Sequence, residues 1–139
     1  MRPFQELLVW QKAHAIVLEV YALSHSFPAA ERFGLQGQIR RAAASVPANI
    51  AEGSARASSA EFAQFLNIAL GSASELEYHL ILARDLAYLT TDQQETLDAR
   101  LAEVKRMLVT LERRVRLAPG PNRSVDGSRR DQQLTARSQ

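Results

Sequence analysis

The stretch from Gln38 to Gly53 holds side chains whose types and spacing could do chemistry. Gln38, Arg41, Ser45, Asn49 and Glu52 recur every three or four residues, so a helix places them on one face. A serine, an amide and a carboxylate on one face raise the question of nucleophilic catalysis, in which a base activates the serine and a third group orients the base. The base is missing. The three histidines are His14, His25 and His79, and none falls in this stretch. Without one the set is a poor hydrolytic site. A structural use fits better: Ser45 can bond the carbonyl one turn back, and Asn49 and Glu52 can satisfy backbone or partner donors near Gly53.

Metal chemistry is tested the same way. Ferritin-like di-iron bundles need Glu-x-x-His pairs on two helices plus two further Glu. No Glu-x-x-His occurs; Glu75 and His79 are four apart and share a face, but no second pair matches them. His14 and His25 have no partner at ligand spacing and read as surface or helix-end residues. Walker loops, Gly-x-Ser-x-Gly and Gly-x-Gly-x-x-Gly are absent as well. The sequence therefore names no catalytic residue, metal ligand, cofactor or small-molecule substrate.

The elements that would position these residues are helices. The first apolar pattern runs through Trp10, Ala13, Ile16, Val17, Val20, Tyr21, Leu23 and Phe27, with Gln11, Lys12, Glu19 and Ser24 mostly off that face, and Pro28 ends it. Phe4 to Trp10 is an extended or irregular lead-in, and residues 27–34 form a connection with room for one helical turn. A second helix is predicted over about 35–51, with Leu35, Ile39, Ala42, Ala43, Val46 and Ile50 as its apolar stripe. Pro47 should kink it by crowding the Ala43 carbonyl, and Gly53 reads as its stop. Ser58 and Glu61 spell a capping box for a third helix over about 59–88. Phe62, Phe65, Ala69, Ala73, Leu76, Leu80, Ala83 and Ala87 form its main stripe, widened by Leu66, Leu70 and Ile81. Gly71 costs about 1 kcal/mol at mid-helix relative to Ala, and close helix–helix approach is the expected return. Thr90 or Thr91 caps a fourth helix over about 92–116, in which Leu97, Leu101, Val104, Leu108, Leu111 and Val115 alternate spacings of four and three. No strand is required. The expected fold is all-α, an antiparallel up-down four-helix bundle over residues 1–117.

Composition bounds the rest. The 139 residues are 46% hydrophobic, enough for one domain with a core. Absence of Cys excludes disulfides and thiolate chemistry and suits a reducing compartment. The N-terminal residues lack a signal-peptide pattern, and no apolar run nears the roughly 18–20 residues of a membrane span. A cytoplasmic protein without a membrane partner is the expectation. The net charge is +2, but through Leu117 the chain has 13 basic and 13 acidic residues. The excess lies in 118–139, a Pro-, Gly- and Arg-bearing stretch read as a disordered polar tail. A neutral body is a weak nucleic-acid binder.

Several runs resemble a known family: Leu7-Leu8-Val9-Trp10-Gln11-Lys12-Ala13; Gln38-Ile39-Arg40-Arg41-Ala42 through Ser45-Val46-Pro47-Ala48-Asn49-Ile50-Ala51-Glu52-Gly53; Glu61-Phe62 and Phe65-Leu66-Asn67-Ile68-Ala69-Leu70-Gly71-Ser72; and Ser74-Glu75-Leu76-Glu77. In wording and order they resemble the small bacterial four helix bundle proteins first noticed in 23S ribosomal RNA intervening sequences. That family also includes the accessory variability protein of diversity-generating retroelements. The likeness runs from Phe4 to Leu89; the fourth helix agrees in character only, and the tail not at all. The resemblance implies a four-helix protomer in a ring-like homopentamer with no known enzymatic activity. In the retroelement branch it implies binding to a reverse transcriptase and to nucleic acid through a basic surface, which this neutral body does not repeat.

Two functional expectations follow. The first is a non-catalytic homo-oligomer, pentameric by resemblance, in which Gln38, Arg41, Ser45, Asn49 and Glu52 form a subunit contact or polar network. The second is an RNA- or DNA-binding accessory protein that uses Arg40, Arg41, Arg56 and the tail arginines.

Overall fold

The structure, a computed structural model, describes residues 3–118. Those residues form four α-helices and no strand: α1 (Leu8–Ser24), α2 (Leu35–Ser54), α3 (Ser59–Asp85) and α4 (Thr91–Leu117). Short 3-10 turns at Phe4–Glu6 and Ala29–Glu31 fill the lead-in and the first connection. The expected stretch 118–139 lies outside the described residues after Ala118.

Each apolar stripe finds its place. Ile16 and Val20 of α1, Ile39, Val46 and Ile50 of α2, Leu66, Leu76 and Leu80 of α3, and Leu97, Leu101, Val104 and Leu108 of α4 are all buried in one core. Each such Leu or Ile contributes on the order of 1.5–3 kcal/mol by leaving water. Tyr21 departs from its expected stripe and is exposed, whereas Ser24, placed off that face by periodicity, is buried. The reason is at the end of α1. The Ser24 Oγ accepts from Arg40 Nε at 2.8 Å, and the Ser24 carbonyl accepts from Gln36 Nε2 at 2.8 Å. A hydroxyl with a charged donor can be buried where an unpaired one cannot.

Helix ends show which sequence signals acted. The Ser58 Oγ accepts the Glu61 N–H at 3.1 Å. At Thr90 the box closes in both directions, with Gln93 as the returning group. Gly53 is not a stop. The second helix continues to Ser54 with both Pro47 and Gly53 inside it. What Gly53 supplies is room: a Cβ there would lie 2.6 Å from Phe65 Cβ and 3.0 Å from Phe62 Cδ1. Gly71 is the reverse case. It was expected to admit a neighbouring helix, yet a Cβ there would meet nothing within 4 Å. Ala69 and Ala73, both buried, face the core instead.

The third helix stops at Asp85, three residues before the expected end. Ala87 takes a left-handed conformation, φ 64°. The Tyr88 N–H bonds the Ala83 carbonyl at 2.8 Å and the Ala87 N–H bonds the Arg84 carbonyl at 2.9 Å. This is a Schellman end with alanine where glycine is usual. It aims Tyr88 at the first connection. The Tyr88 hydroxyl donates to Glu31 Oε2 at 3.0 Å, while Glu31 Oε1 accepts the Leu35 N–H at 3.0 Å and so caps α2.

Three outcomes are expected. Gly53→Ala lowers stability by about 1–3 kcal/mol, because overpacking at a backbone-anchored Cβ outweighs the helix-propensity gain. Ala87→Gly raises it by about 1 kcal/mol, because the left-handed strain is relieved at an exposed site. Urea titration measures both. Hydrogen bonding to Glu31, then burial and the charge of Glu31, raise the Tyr88 hydroxyl above its ordinary 10.0. A raised acid pKa favours the neutral form in the fold, so its stabilisation is whole below that ordinary value and lost as pH climbs through the folded one. Tyr88→Phe should therefore be less stable than the parent at neutral pH, with the difference closing in strong alkali.

Candidate functional site

The polar row of α2 is divided by its neighbours. Gln38, Arg41 and Glu52 are exposed, and Ser45 and Asn49 are half-buried against α3. Asn49 Nδ2 donates to the Ser45 carbonyl at 2.8 Å and to Ser45 Oγ at 2.9 Å. Ser45 Oγ lies 2.8 Å from Ser72 Oγ of α3. The bond to the carbonyl one turn back, expected of Ser45, is thus made by Asn49. Glu52 pairs with Arg56 at 2.7 Å, and the Arg56 guanidinium sits 4.9 Å from the Phe65 ring centre. An exposed pair of this kind contributes only about 0.3–0.5 kcal/mol.

Above Ser45 the row opens into a cavity of about 400 Å³ lined by Gln38, Arg41, Ala42, Ser45, Ser72 and Glu75. Arg41 makes no hydrogen bond or ion pair among the described residues, and its Nη1 would lie 3.2 Å from a Cβ at Gly37. A side chain at Gly37 would crowd the guanidinium. Across the cavity, Glu75 Oε2 is 3.2 Å from His79 Nε2. His79 is buried, and its Nδ1 has no partner. No hydrogen bond links His79 to Ser45 or Ser72, so the serine pair has no base beside it. Among the described residues no three His, Cys, Asp or Glu gather in a geometry that could hold a metal. His14 is exposed and stacks on Trp10 with ring centres 4.9 Å apart; His25 is exposed at the end of α1.

The three arginines expected to meet nucleic acid are not brought together. Arg40 turns to α1, donating to Ser24 Oγ and, at 3.3 Å, to the Tyr21 carbonyl, with its guanidinium 4.6 Å from the Tyr21 ring centre. There it meets the negative end of the α1 dipole. Arg41 faces the cavity, and Arg56 is four turns further along, roughly 22 Å by helical rise. A basic cluster that periodicity missed lies on α4: Arg106, Arg113 and Arg114 are exposed and unpaired among the described residues. Ser72 and Glu75 are the other residues missed as site members. Their signal was present, since Ser72, Glu75 and His79 are spaced by three and four on α3.

The geometry defines an all-α four-helix protein whose polar residues serve helix ends and helix contacts. The chain belongs to the 23S rRNA-intervening sequence protein family, whose sequence model matches residues 5–110. The family expected from the residues is therefore shown, and the match extends into α4, beyond the motifs that suggested it. A solved structure of a protein of unknown function from the S23 ribosomal protein family of Bacteroides thetaiotaomicron is similar, with 30% identity and a TM-score of 0.71. The likeness covers 76% of this chain and 98% of that one. No curated protein matches the chain. No helix of the described residues is long and apolar enough to cross a membrane.

Ser72→Ala should remove the bond to Ser45 at a half-buried site and lower stability by about 1 kcal/mol, read by thermal unfolding. Activity screens are not needed for this readout.

Proposed function

We propose that the protein is a non-catalytic, homo-oligomeric interaction module: an antiparallel up-down four-helix protomer, pentameric by family resemblance, working in the cytoplasm. The antiparallel arrangement is supported by paired contacts of opposite sense. Residue 45 of α2 meets 72 of α3 while 53 meets 65, and on α3 and α4 the ion pair Glu77–Lys105 and the contact Arg84–Gln94 run likewise.

One observation carries the assembly reading. The core is complete, yet a groove of about 350 Å³ stays open beside it, walled by Phe4, Trp10, Val17, Ala44, Pro47 and Ala48. Leu8, Leu18 and Tyr21 of α1 are exposed as well. Apolar grooves and exposed apolar side chains on one helix are common at protein–protein contacts. The body carries equal numbers of acidic and basic residues through Leu117, so net charge does not oppose self-association. Light scattering should give a solution mass several times the 15.4 kDa of one chain. A monomer at micromolar concentration would overturn the reading.

A second reading, RNA binding, is supported by the unpaired Arg106, Arg113 and Arg114 and by the ribosomal RNA sequences in the family's description. It requires binding to structured ribosomal RNA fragments that weakens steeply with salt as counterions are released. Arg113→Glu with Arg114→Glu would abolish that binding without changing the solution mass.

A further inference from the structure

Three basic side chains of α4 are held by carboxylates: Arg100 by Glu19, Lys105 by Glu77 and Arg116 by Glu112. Arg106, Arg113 and Arg114 have no such partner among the described residues. The helix dipole favours Arg114, which lies in the last turn, but Arg106 is about three turns from the end and out of its reach. Arg106 and Arg114 share a surrounding that Arg113 lacks. They line a groove of about 470 Å³ between α4 and the start of α1, with Leu8, Met107 and Leu111 as an apolar floor. Leu8 is 56% exposed. Glu103, the acid of the lining, is already 3.4 Å from Lys12. An uncovered apolar floor thus lies between two free cations.

The groove's composition narrows what fits it. The described residues contain no strand, so there is no sheet edge for an added strand. No aromatic ring lines this groove, so a proline-rich segment has nothing to dock on. A helix laid along α4 is the common mode that remains. Arg106 and Arg114 are separated by about 12 Å of helical rise, which two carboxylates about two turns apart on a facing helix would match. The described helices offer no such face. Their two acidic pairs at that spacing are Glu77 with Asp85 and Glu95 with Glu103. Lys105 holds Glu77, Arg84 holds Asp85 and Lys12 holds Glu103.

We propose that the groove between α4 and the start of α1 is the docking seat for an acidic amphipathic helix of a different protein. Its apolar side covers Leu8, Met107 and Leu111, and two of its carboxylates meet Arg106 and Arg114. Apolar burial supplies the attraction, and the two charge pairs set register and reject basic helices. The seat lies within one protomer and does not rest on the assembly reading.

The test uses the full chain and fluorescence anisotropy. The probe is a labelled, alanine-based helical peptide with two glutamates about seven residues apart and two leucines between them at helical spacing. It should bind with a Kd of about 10–100 μM, as a small contact does. Arg106→Glu and Arg114→Glu should each weaken it about tenfold. The double variant should instead bind the peptide that carries lysines for glutamates. Leu8→Gln should cost about fivefold, and Arg113→Glu less than about twofold. These side chains are exposed, and circular dichroism checks that each variant keeps its helices. No binding by the parent chain overturns the proposal, as does equal binding of a peptide with serines for leucines. If an oligouridylate displaces the peptide, binds Leu8→Gln as well as the parent and is lost in Arg113→Glu, the arginines serve RNA and the seat falls. If the groove variants lower the chain's own solution mass, the face joins copies of this chain, and the seat falls while the assembly reading stands. A monomeric parent that binds the peptide in the expected pattern supports the seat and overturns the assembly reading alone.

Discussion

Helices α2 and α3 come so close at Gly53 that a Cβ there would lie 2.6 Å from Phe65 Cβ. That closeness lies beside the α2–α3 connection and sets how the two helices start out together. It is accompanied by small residues on both helices, and Ala42, Ala43, Ala69 and Ala73 are all buried in the core. It also brings two hydroxyls, Ser45 and Ser72, to 2.8 Å. A wider spacing would leave both serines to water and open the core above Ile50 and Leu66. Close packing of this kind tolerates little change in volume, which is why the contact resists even one added methyl.

The other helices are fastened to this pair mainly at their ends. Arg40 and Gln36 reach back from α2 to the last turn of α1. Carbonyls of a last helical turn lack the usual backbone partners of their own helix, and a cation is favoured there by the dipole. At the same end of α2, Glu31 caps the first turn and receives the Tyr88 hydroxyl. Tyr88 reaches it because Ala87 accepts a left-handed turn. One strained residue after α3 therefore helps to tie down the connection between α1 and α2. Three helix ends share one polar corner, and each group in it satisfies another.

Much of this was legible in the residues because amphipathic helices declare themselves by period. The four stripes, the cap at Ser58 and the a/d seam of α4 all depend on spacing alone, and spacing survives folding. Boundaries were less legible. Gly53 carries the residue type of a helix stop, but the meaning of a glycine depends on what lies across from it, and Phe62 and Phe65 are eight or more residues away. Ser24 was misplaced for the same reason. Its burial depends on Arg40, sixteen residues on, and no local pattern records that partner. The candidate site was half legible: the α2 row and the spacing of Ser72, Glu75 and His79 were visible, but that the two would face each other depends on how α2 packs against α3.

Two pairs of like residues show where function is left to act. Gly53 and Gly71 are both helical glycines, yet one is crowded by phenylalanine and the other faces open space. Arg40 and Arg41 are neighbours, yet one is consumed by the end of α1 and the other has no partner among the described residues. A residue spent on the protomer's own packing cannot also be free for a partner. Removing the spent ones from the α2 row leaves Gln38 and Arg41, which line one cavity with Glu75, itself paired with His79. Gln38 and Arg41 lie together beside a single cavity, whereas Arg40 and Arg56, also named for nucleic acid, are drawn away to α1 and to Glu52. Proximity among unsatisfied groups is a stronger guide to an interaction surface than residue type, because it marks where the protomer has left stabilisation for another molecule to supply.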